Sequence, residues 1–396
     1  MLFNKALHAA PAHNLAFKQA PVFFVAYTIW LSVALLNTSN FSVYFGHNNI
    51  LYYFSVFLFI ISEIIFINDL SLLDVIVAFV LIIFNLQTYF WGHEDLLAFS
   101  ILLFCGRKIL FADIAKCTIF VQTFVSIFII ISSFCGLIPS TTNIRANGVI
   151  RYSLGFSYVT YPSYVFLNVV LLWLYLRKSL ISYIELGIFA ILNSALLVVT
   201  NARNGCGLIY IVLFSALLLK VFPSFNFPEI IKKFFISCFV LFASIFFLLV
   251  ILFSKFSENS VLIFINKIFS DRLRYSSYAF ENFGIPIIGG YRYNLVEHGL
   301  TLDSSYIRII YDHGLVFALT IVALFTLLMK KAVDSNDNFL IIALFIVAAH
   351  SMFDAQLISF QHNTFLFLLL SVVSLDKFDH LKELITKKYR PKHLSS

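Results

Sequence analysis

Charged side chains are scarce in this sequence, and their scarcity excludes a soluble domain. Charged residues make up 12% of the 396 residues, whereas a soluble domain carries about 25%. Apolar residues reach 61%, and the mean hydropathy is +0.93. Since a helix needs about 20 apolar residues to cross a bilayer, the sequence predicts an all-α polytopic membrane protein with about twelve transmembrane helices. These spans are expected near residues 21–37, 48–67, 71–89, 96–112, 114–138, 160–176, 181–200, 205–222, 231–254, 306–329, 338–353 and 362–375.

Motifs for metals and cofactors are also missing. The five cysteines lie in or beside apolar runs without the spacing of metal ligands, and we interpret them as packing residues. There is neither a P-loop nor a G-x-G-x-x-G stretch. The stretch GHED at 92–95 comes nearest to a metal site, and a solvated loop explains it better. We therefore expect no metal and no cofactor.

Lysine and arginine are distributed differently along the chain. If the N-terminus is cytoplasmic and the chain crosses twelve times, both termini are cytoplasmic and 15 of 17 lysines lie inside, as the positive-inside rule requires. A guanidinium group has a rigid fork that matches phosphate oxygens, which an ammonium group lacks. Snorkelling at the interface explains a single outer arginine but not a whole set, so the pattern predicts an anionic ligand at the outer face. Seven of the ten arginines fall outside: Arg145, Arg151, Arg203, Arg272, Arg274, Arg292 and Arg308.

Two outer segments are longer than simple connections, within a single membrane domain that covers residues 1–396. The segment 138–159 is punctuated by Pro, Gly, Ser and Asn. The segment 255–305 is rich in aromatic and apolar residues, which argues against disorder. Its stretch VLIFINKIFSDRLRYSSYAF predicts one or two short amphipathic helices on the membrane, and ENFGIPIIGG predicts a turn. Loops of this length are usually functional when they are ordered.

Four short motifs follow one another between residues 148 and 319: GVIRYSLGF, TNARNGCGL, FSDRLRYSSYAFENFGIPIIGG and LDSSYIRIIYDHGLVFAL. In order and spacing they resemble motifs of Wzy-type polymerases of O-antigen, capsular polysaccharide and exopolysaccharide. The chain departs from that pattern at Ala202, where serine is common, and at Asp271, where glycine is frequent. The related O-antigen ligases usually carry a His-Asn pair where this chain has Asp303 and Ser304, which favours a polymerase.

The resemblance implies a GT-C-like fold and a metal-independent glycosyltransferase at the outer face of the cytoplasmic (inner) membrane. In the implied reaction, a glycan is transferred from undecaprenyl diphosphate to the non-reducing end of another lipid-linked repeat unit. The implied partners are the undecaprenyl-diphosphate-linked oligosaccharide and membrane lipid, with a chain-length regulator as a further candidate and no nucleic acid.

Arginines are the candidate binding residues for this reaction. We expect Arg151 and Arg203 to hold the donor diphosphate, and Arg272 or Arg274 to hold the acceptor's diphosphate or the glycan. Tyr306 is a candidate for stacking on a sugar, and an aromatic belt at the membrane interface explains such a tyrosine equally well. For Arg203, the structural alternative is that it caps the carbonyl groups at the end of the preceding helix.

Asp303 is the first candidate for the catalytic base that accepts the proton of the acceptor hydroxyl. The stretch DSS is also a good N-cap for a helix that starts near Tyr306, and nearby arginines would make the aspartate a weaker base. His313 is the second candidate, against a packing role on an apolar helix. His298 is the third.

Two other functions remain open. An O-antigen ligase would use the same donor with a lipid A core or protein acceptor, and a transporter would move the lipid-linked oligosaccharide across the membrane. Transporters place ionisable residues near the bilayer midplane and interrupt their spans with Gly or Pro. In this chain the arginines collect at one face, which favours chemistry at the outer face.

Overall fold

The protein is an all-α structure, as the sequence predicted. The computed structural model describes residues 12–45, 50–65, 70–90, 95–145, 148–223, 225–290, 295, 299 and 301–373, and it is 75% helical with almost no sheet. Two short 3-10 helices, Lys178–Leu180 and Thr364–Val372, accompany the α-helices. The α-helices whose bounds are described are α1 (Ala12–Asn37), α2 (Ser42–Phe45), α3 (Ile50–Ile64), α4 (Leu72–Phe90), α5 (Asp95–Gly106), α6 (Phe111–Phe134), α7 (Tyr161–Arg177), α8 (Tyr183–Thr200), α9 (Arg203–Val221), α10 (Glu229–Lys255), α11 (Ser260–Ile268), α12 (Arg272–Phe283), α13 (Ser305–His313), α14 (Leu315–Asp334) and α15 (Asn338–His350).

Several of these helices have the length and composition of membrane spans. Within the described residues, five helices are long and apolar enough to cross a membrane: α6, α8, α9, α10 and α14. Five further apolar stretches, in α1, α3, α4, α5 and α15, have between 10 and 17 residues. The chain therefore has the helices of a multi-pass membrane protein, while the expected number of about twelve spans is not confirmed.

The expected span at 306–329 is divided into two helices, α13 and α14. Gly314 separates them with a φ of 89°, a conformation in which a side chain would be strained. The N–H of Leu315 donates to the carbonyl of Pro286 over 2.8 Å. The turn at 284–290 therefore satisfies a backbone donor that the break leaves free at the start of α14.

The expected span at 362–375 is not an α-helix in its described part. Residues 351–363 form turns inside the protein, and a 3-10 helix follows. Irregular backbone at membrane depth is tolerated where protein surrounds it or where it lines a cavity. Here the protein supplies hydrogen bonds: the Ser305 hydroxyl donates to the carbonyl of Asp354 over 2.6 Å.

The long segment 255–305 forms two short helices, α11 and α12, as its amphipathic pattern predicted, but they pack onto the bundle, whereas the sequence placed them on the membrane. Leu273 of α12 is fully buried and belongs to one apolar cluster with Phe246 and Val250 of α10. Burying a leucine side chain stabilises by about 1.5–3 kcal/mol. This contact fixes the position of the arginine that precedes Leu273.

The helix ends form two polar regions. The lysine end comprises the connections α3–α4, α5–α6, α7–α8 and α14–α15. At this end Arg107 pairs with Glu63 over 2.9 Å and with Asp74 over 2.7 Å, and Lys178 pairs with Asp337 over 2.5 Å. The arginine end comprises the segment 138–160, the α8–α9 turn, α11–α12 and residues 351–363. Which end faces the cytoplasm stays a prediction.

Candidate functional site

A β-hairpin brings two arginines to the arginine end. Its strands, β1 (Thr142–Ile144) and β2 (Ile150–Tyr152), pair antiparallel with Arg151 opposite Asn143. Side chains alternate between the two faces of a strand, and in β2 the central one is buried while its neighbours are exposed. Arg151 therefore points into the protein, with 7% of its surface exposed.

The turn between α8 and α9 supplies a third arginine. Asn201 ends α8 in the left-handed conformation, with φ 46°, and Arg203 begins α9. Arg151 Nε donates to the carbonyl of Thr200 over 2.8 Å, and Arg145 Nη2 donates to that of Asn201 over 2.9 Å. The hairpin arginines thus perform the capping that the sequence offered as an alternative role for Arg203. Arg203 itself is exposed, and its Nε donates to Asn201 Oδ1 over 3.2 Å.

These three residues, Arg145, Arg151 and Arg203, form what we call the arginine cluster. Burial lowers the pKa of Arg145 and of Arg151, and the charge of Arg203 lowers both pKa values further. No described Asp or Glu forms an ion pair with the cluster. The buried Arg151 Nη2 and Arg145 Nε have no hydrogen-bond partner among the described residues. Because buried charges are normally paired, an anion would complete this arrangement.

A buried carboxylate, Asp354, is the centre of a second polar group at the same end. Its Oδ1 accepts hydrogen bonds from the hydroxyl of Tyr164 and, over 3.4 Å, from Arg272 Nη2. Its Oδ2 accepts from Asn204 Nδ2 over 2.6 Å and lies 3.3 Å from His350 Nε2. Burial acts to raise the pKa of Asp354, but the nearby imidazole of His350 and the charge of Arg272 hold it below its usual value. One carboxylate thereby joins α7, α9 and α12 to the end of α15.

The Asp354 network adjoins the arginine cluster through the first turn of α9, where Asn204 follows Arg203. Gly205 allows α9 to approach α7 this closely. A Cβ at Gly205 would lie 2.6 Å from Ser163 Oγ and 3.1 Å from Ser163 Cβ, and the first of these distances is shorter than carbon–oxygen van der Waals contact. The glycine in the TNARNG motif therefore has a packing role beside the site.

A cavity of about 600 Å³ lies next to these groups. One wall is formed by the buried turns 355–362, and another by α13, which contributes Arg308, Asp312 and His313. Arg308 Nε and Asp312 Oδ2 form an ion pair at 3.0 Å. The cavity therefore presents polar side chains whose principal charges balance.

Aromatic rings connect the cavity with the arginine cluster. Tyr161 lines the cavity, and its ring centroid lies 5.8 Å from that of His362 and 5.9 Å from that of Tyr158. Tyr158 in turn acts to raise the pKa of Arg145 and the pKa of Arg151, against the effect of burial. The cluster and the cavity are thus neighbouring parts of one polar region.

The two arginines of α12 are placed differently. Arg272 Nη2 lies 3.3 Å from Asp303 Oδ2 and also reaches Asp354. Arg274 has an exposed side chain without an ion pair to any described residue, and its backbone N–H donates to Asn266 Oδ1 over 3.2 Å. Only Arg272 is brought into contact with the other polar groups.

Asp303 faces Arg272 and does not cap α13. The N-cap is Ser304, whose side chain accepts no hydrogen bond from the helix. Burial raises the pKa of Asp303, and the charge of Arg272 opposes that increase. With 46% of its side chain exposed, Asp303 remains open to solvent or to a ligand.

The remaining sequence-predicted residues divide between the cavity and the core. His313 lines the cavity and follows Asp312, the carboxylate that pairs with Arg308. Tyr306 is buried, and its hydroxyl donates to the carbonyl of Ala348 over 2.9 Å, so it packs within the bundle. Arg292, His298 and residues 92–94 lie outside the described residues.

The sequence reasoning did not select Arg145, Tyr164, Asn204, His350 or Asp354 as site residues. Arg145 was recognised only as one of the outer arginines. The His350–Asp354 pair left a signal, since two ionisable residues four positions apart follow an apolar run. Because the expected span ended at residue 353, Asp354 was treated as part of the connection to the next span.

Searches for similar proteins found no matching family model, no matching curated protein and no matching solved structure.

Proposed function

We propose that the chain is a membrane glycosyltransferase that polymerises polysaccharide, as its resemblance to Wzy-type polymerases implies. The donor is a glycan on undecaprenyl diphosphate, and the acceptor is another lipid-linked repeat unit at the outer face of the cytoplasmic membrane. The observation that supports this proposal is the arginine cluster, three guanidinium groups without a carboxylate partner among the described residues. A diphosphate supplies the negative charge that the cluster lacks, and its oxygen atoms match the forked geometry of the guanidinium groups.

The reaction breaks the bond between the donor sugar's anomeric carbon and the diphosphate oxygen. An acceptor hydroxyl oxygen forms the new bond to that carbon, and the bonding electron pair leaves with the lipid diphosphate. Hydrogen-bond donors that are held in position before the reaction stabilise the developing negative charge most effectively. Arg151 and Arg145 are fixed by their hydrogen bonds to the end of α8, while Arg203 is exposed for the approach of the ligand.

The hydroxyl proton must pass to a base beside the acceptor. His313 lies in the cavity wall, whereas Asp303 is ion-paired with Arg272. Asp303 is not among the residues that line the cavity, and the charge of Arg272 opposes the increase that burial causes in its pKa. We therefore assign proton transfer to His313 and assign to Asp303 the orientation of Arg272.

The proposal is tested by complementing a polymerase-deleted strain and separating the glycan as a ladder. Wild type, Arg203→Lys and Arg177→Lys are compared at matched membrane levels. Arg177 pairs with Glu185 over 3.0 Å at the lysine end, so it is a control for the same chemical change. We expect long chains from wild type and Arg177→Lys, and single repeat units from Arg203→Lys, because lysine keeps the charge but loses the fork.

Other outcomes would redirect the assignment. Equal ladders from Arg203→Lys and wild type would show that Arg203 is a surface charge. Absence of polymer with wild type would remove the polymerase proposal. Glycan transferred to a lipid A core or a protein would then identify a ligase, and repeat units retained at the inner leaflet would identify a transporter.

A further inference from the structure

An apolar groove of about 730 Å³ runs between α3, α4 and α5. Its lining is formed mainly by aliphatic and aromatic side chains, including Ile60, Leu81, Leu86 and Ile101. The few polar side chains are engaged by the protein: Asn85 Nδ2 donates to Ser100 Oγ over 2.6 Å and to the carbonyl of Leu81 over 2.7 Å. The groove therefore presents hydrocarbon and suits an apolar chain.

The groove meets the polar cavity near the start of α3. Tyr52 and Tyr53 line both spaces, and their rings pack edge to face at 5.5 Å. From there the groove continues along α3 to Ile64, a distance of about 17 Å at 1.5 Å per residue. This exceeds half of the roughly 30 Å hydrocarbon thickness of a bilayer. The two spaces together have the form of a site for an amphiphile with a polar head and a long tail.

The chemistry of the cavity defines the head of this amphiphile. Amide and aromatic side chains line it, including Gln356, Gln361 and Trp30, which suit a hydroxyl-rich group better than a second strongly charged one. Arg308 is the arginine in the described lining, and its side chain is 36% exposed although it pairs with Asp312. A guanidinium at this position can contact a phosphate between a glycan and a tail.

We infer that the groove and the cavity bind the acceptor, a second isoprenoid-diphosphate-linked glycan. Its hydrocarbon chain lies between α3, α4 and α5, its diphosphate contacts Arg308, and its glycan occupies the cavity beside His313. This inference rests on the proposed function, because it names the substrate of the same reaction. The donor and the acceptor then have separate diphosphate sites, at the arginine cluster and at Arg308.

The direct test is labelling of the purified full chain in lipid nanodiscs with a short isoprenyl diphosphate whose last isoprene unit carries a diazirine. We expect labelled peptides from 78–86 and 97–104. Undecaprenyl diphosphate should compete for labelling, and phosphatidylglycerol should not. Equal competition by phosphatidylglycerol, or equal labelling of the lipid-facing α8, would overturn the inference, because the groove would then hold bulk lipid.

Two matched variants give the test a second readout. Ala78→Trp fills the groove, whereas Ile191→Trp places the same side chain on an exposed position of α8. We expect Ala78→Trp to lower labelling at least about tenfold, equivalent to about 1.4 kcal/mol, and to shorten the glycan ladder, with no change in Ile191→Trp. Similar labelling of the two variants would contradict the inference.

The failure of this inference and the failure of the proposed function give different results. A wild-type chain that makes polymer but is not labelled in the groove retains its function and loses this acceptor site. A wild-type chain that makes no polymer loses the proposed function, and with it the identification of the bound lipid as an acceptor.

Discussion

The two ends of the bundle treat arginine in opposite ways. At the lysine end, Arg107 is 6% exposed and contacts two carboxylates, Glu63 and Asp74. At the arginine end, Arg151 is similarly buried but contacts a backbone carbonyl, and its Nη2 has no partner among the described residues. Arg107 also keeps a buried Nη2 without a hydrogen-bond partner among the described residues, so the difference lies in charge: two carboxylates neutralise Arg107, and no described carboxylate neutralises Arg151.

This difference separates arginines that hold the structure together from arginines that can bind a ligand. A buried cation without a counter-ion costs free energy, and like charges nearby add to that cost. Such an arrangement is expected where a ligand supplies the missing charge, as binding sites often keep perturbed ionisable groups. The comparison gives each end a distinct response to mutation.

The largest expected effect is the difference in stability between the variants Arg107→Met and Arg151→Met. Arg107→Met removes the closest cation from two largely buried carboxylates, with Lys108 remaining 3.8 Å from Asp74, so the free energy of unfolding should fall by about 3–5 kcal/mol. Arg151→Met removes one helix-capping hydrogen bond, worth about 0.5–1.5 kcal/mol, and also relieves repulsion in the cluster. Thermal unfolding in detergent measures the first effect, and loss of the glycan ladder measures the function of Arg151. Equal destabilisation by the two variants would remove the distinction between the ends.

The next effect concerns the carboxylates. Asp354→Ala leaves the donors from α7 and α9 without their acceptor and removes one of the two carboxylates paired with Arg272, so it should also cost about 3–5 kcal/mol. Asp113→Ala removes the exposed pair with Lys116 and should change stability by less than about 1 kcal/mol. Unfolding temperatures of the two purified variants check this difference, and a small loss in Asp354→Ala would mean that the network is not a structural centre.

Part of this architecture was readable from the sequence. Long apolar runs predict helices directly, and the predicted excess of arginine at one face selected Arg151, Arg203 and Arg272 as candidate site residues. The break at Gly314 was not predicted, because hydropathy continues across it and only the backbone φ reveals the interruption. The contacts of Asp354 were not predicted either. Its partners come from four segments that are distant in the sequence, and a local sequence pattern carries no information on such long-range contacts.

A smaller, pH-dependent effect should distinguish the two carboxylates that contact Arg272. The raised pKa of Asp303 means that its charged form costs stability at neutral pH, and that this cost is relieved as the pH falls through the folded-state pKa. The lowered pKa of Asp354 means that its contribution is present above its ordinary pKa of 3.8 and is lost only below it.

Unfolding temperatures of wild type and two asparagine variants, measured from pH 7 to about pH 4.5, check this order. Relative to Asp303→Asn, wild type should become slightly more stable as the pH falls. Relative to Asp354→Asn, it should keep a constant advantage over the same range. The reverse order would show that Arg272 holds Asp303 more strongly than Asp354.

The smallest effect is that of salt. Because Arg203 is exposed, its attraction for an anion is screened by ions, with a Debye length that shortens from about 10 Å at 0.1 M to about 3 Å at 1 M. Binding of inorganic pyrophosphate to the wild-type chain should therefore weaken with added salt. The unfolding temperature of wild type without pyrophosphate should depend less on salt than pyrophosphate binding does. The ion pairs of Arg107 at the lysine end are largely buried, so added ions screen them less.

The most direct measurement of the central claim is titration calorimetry of inorganic pyrophosphate with the purified full chain. Wild type and Arg177→Lys should bind alike, and Arg203→Lys should bind about 10- to 100-fold more weakly, since a hydrogen bond to a charged group contributes about 1.5–3 kcal/mol. That result would identify the arginine cluster as a diphosphate site. Failure of wild type to bind, or equal binding by the two lysine variants, would contradict the account.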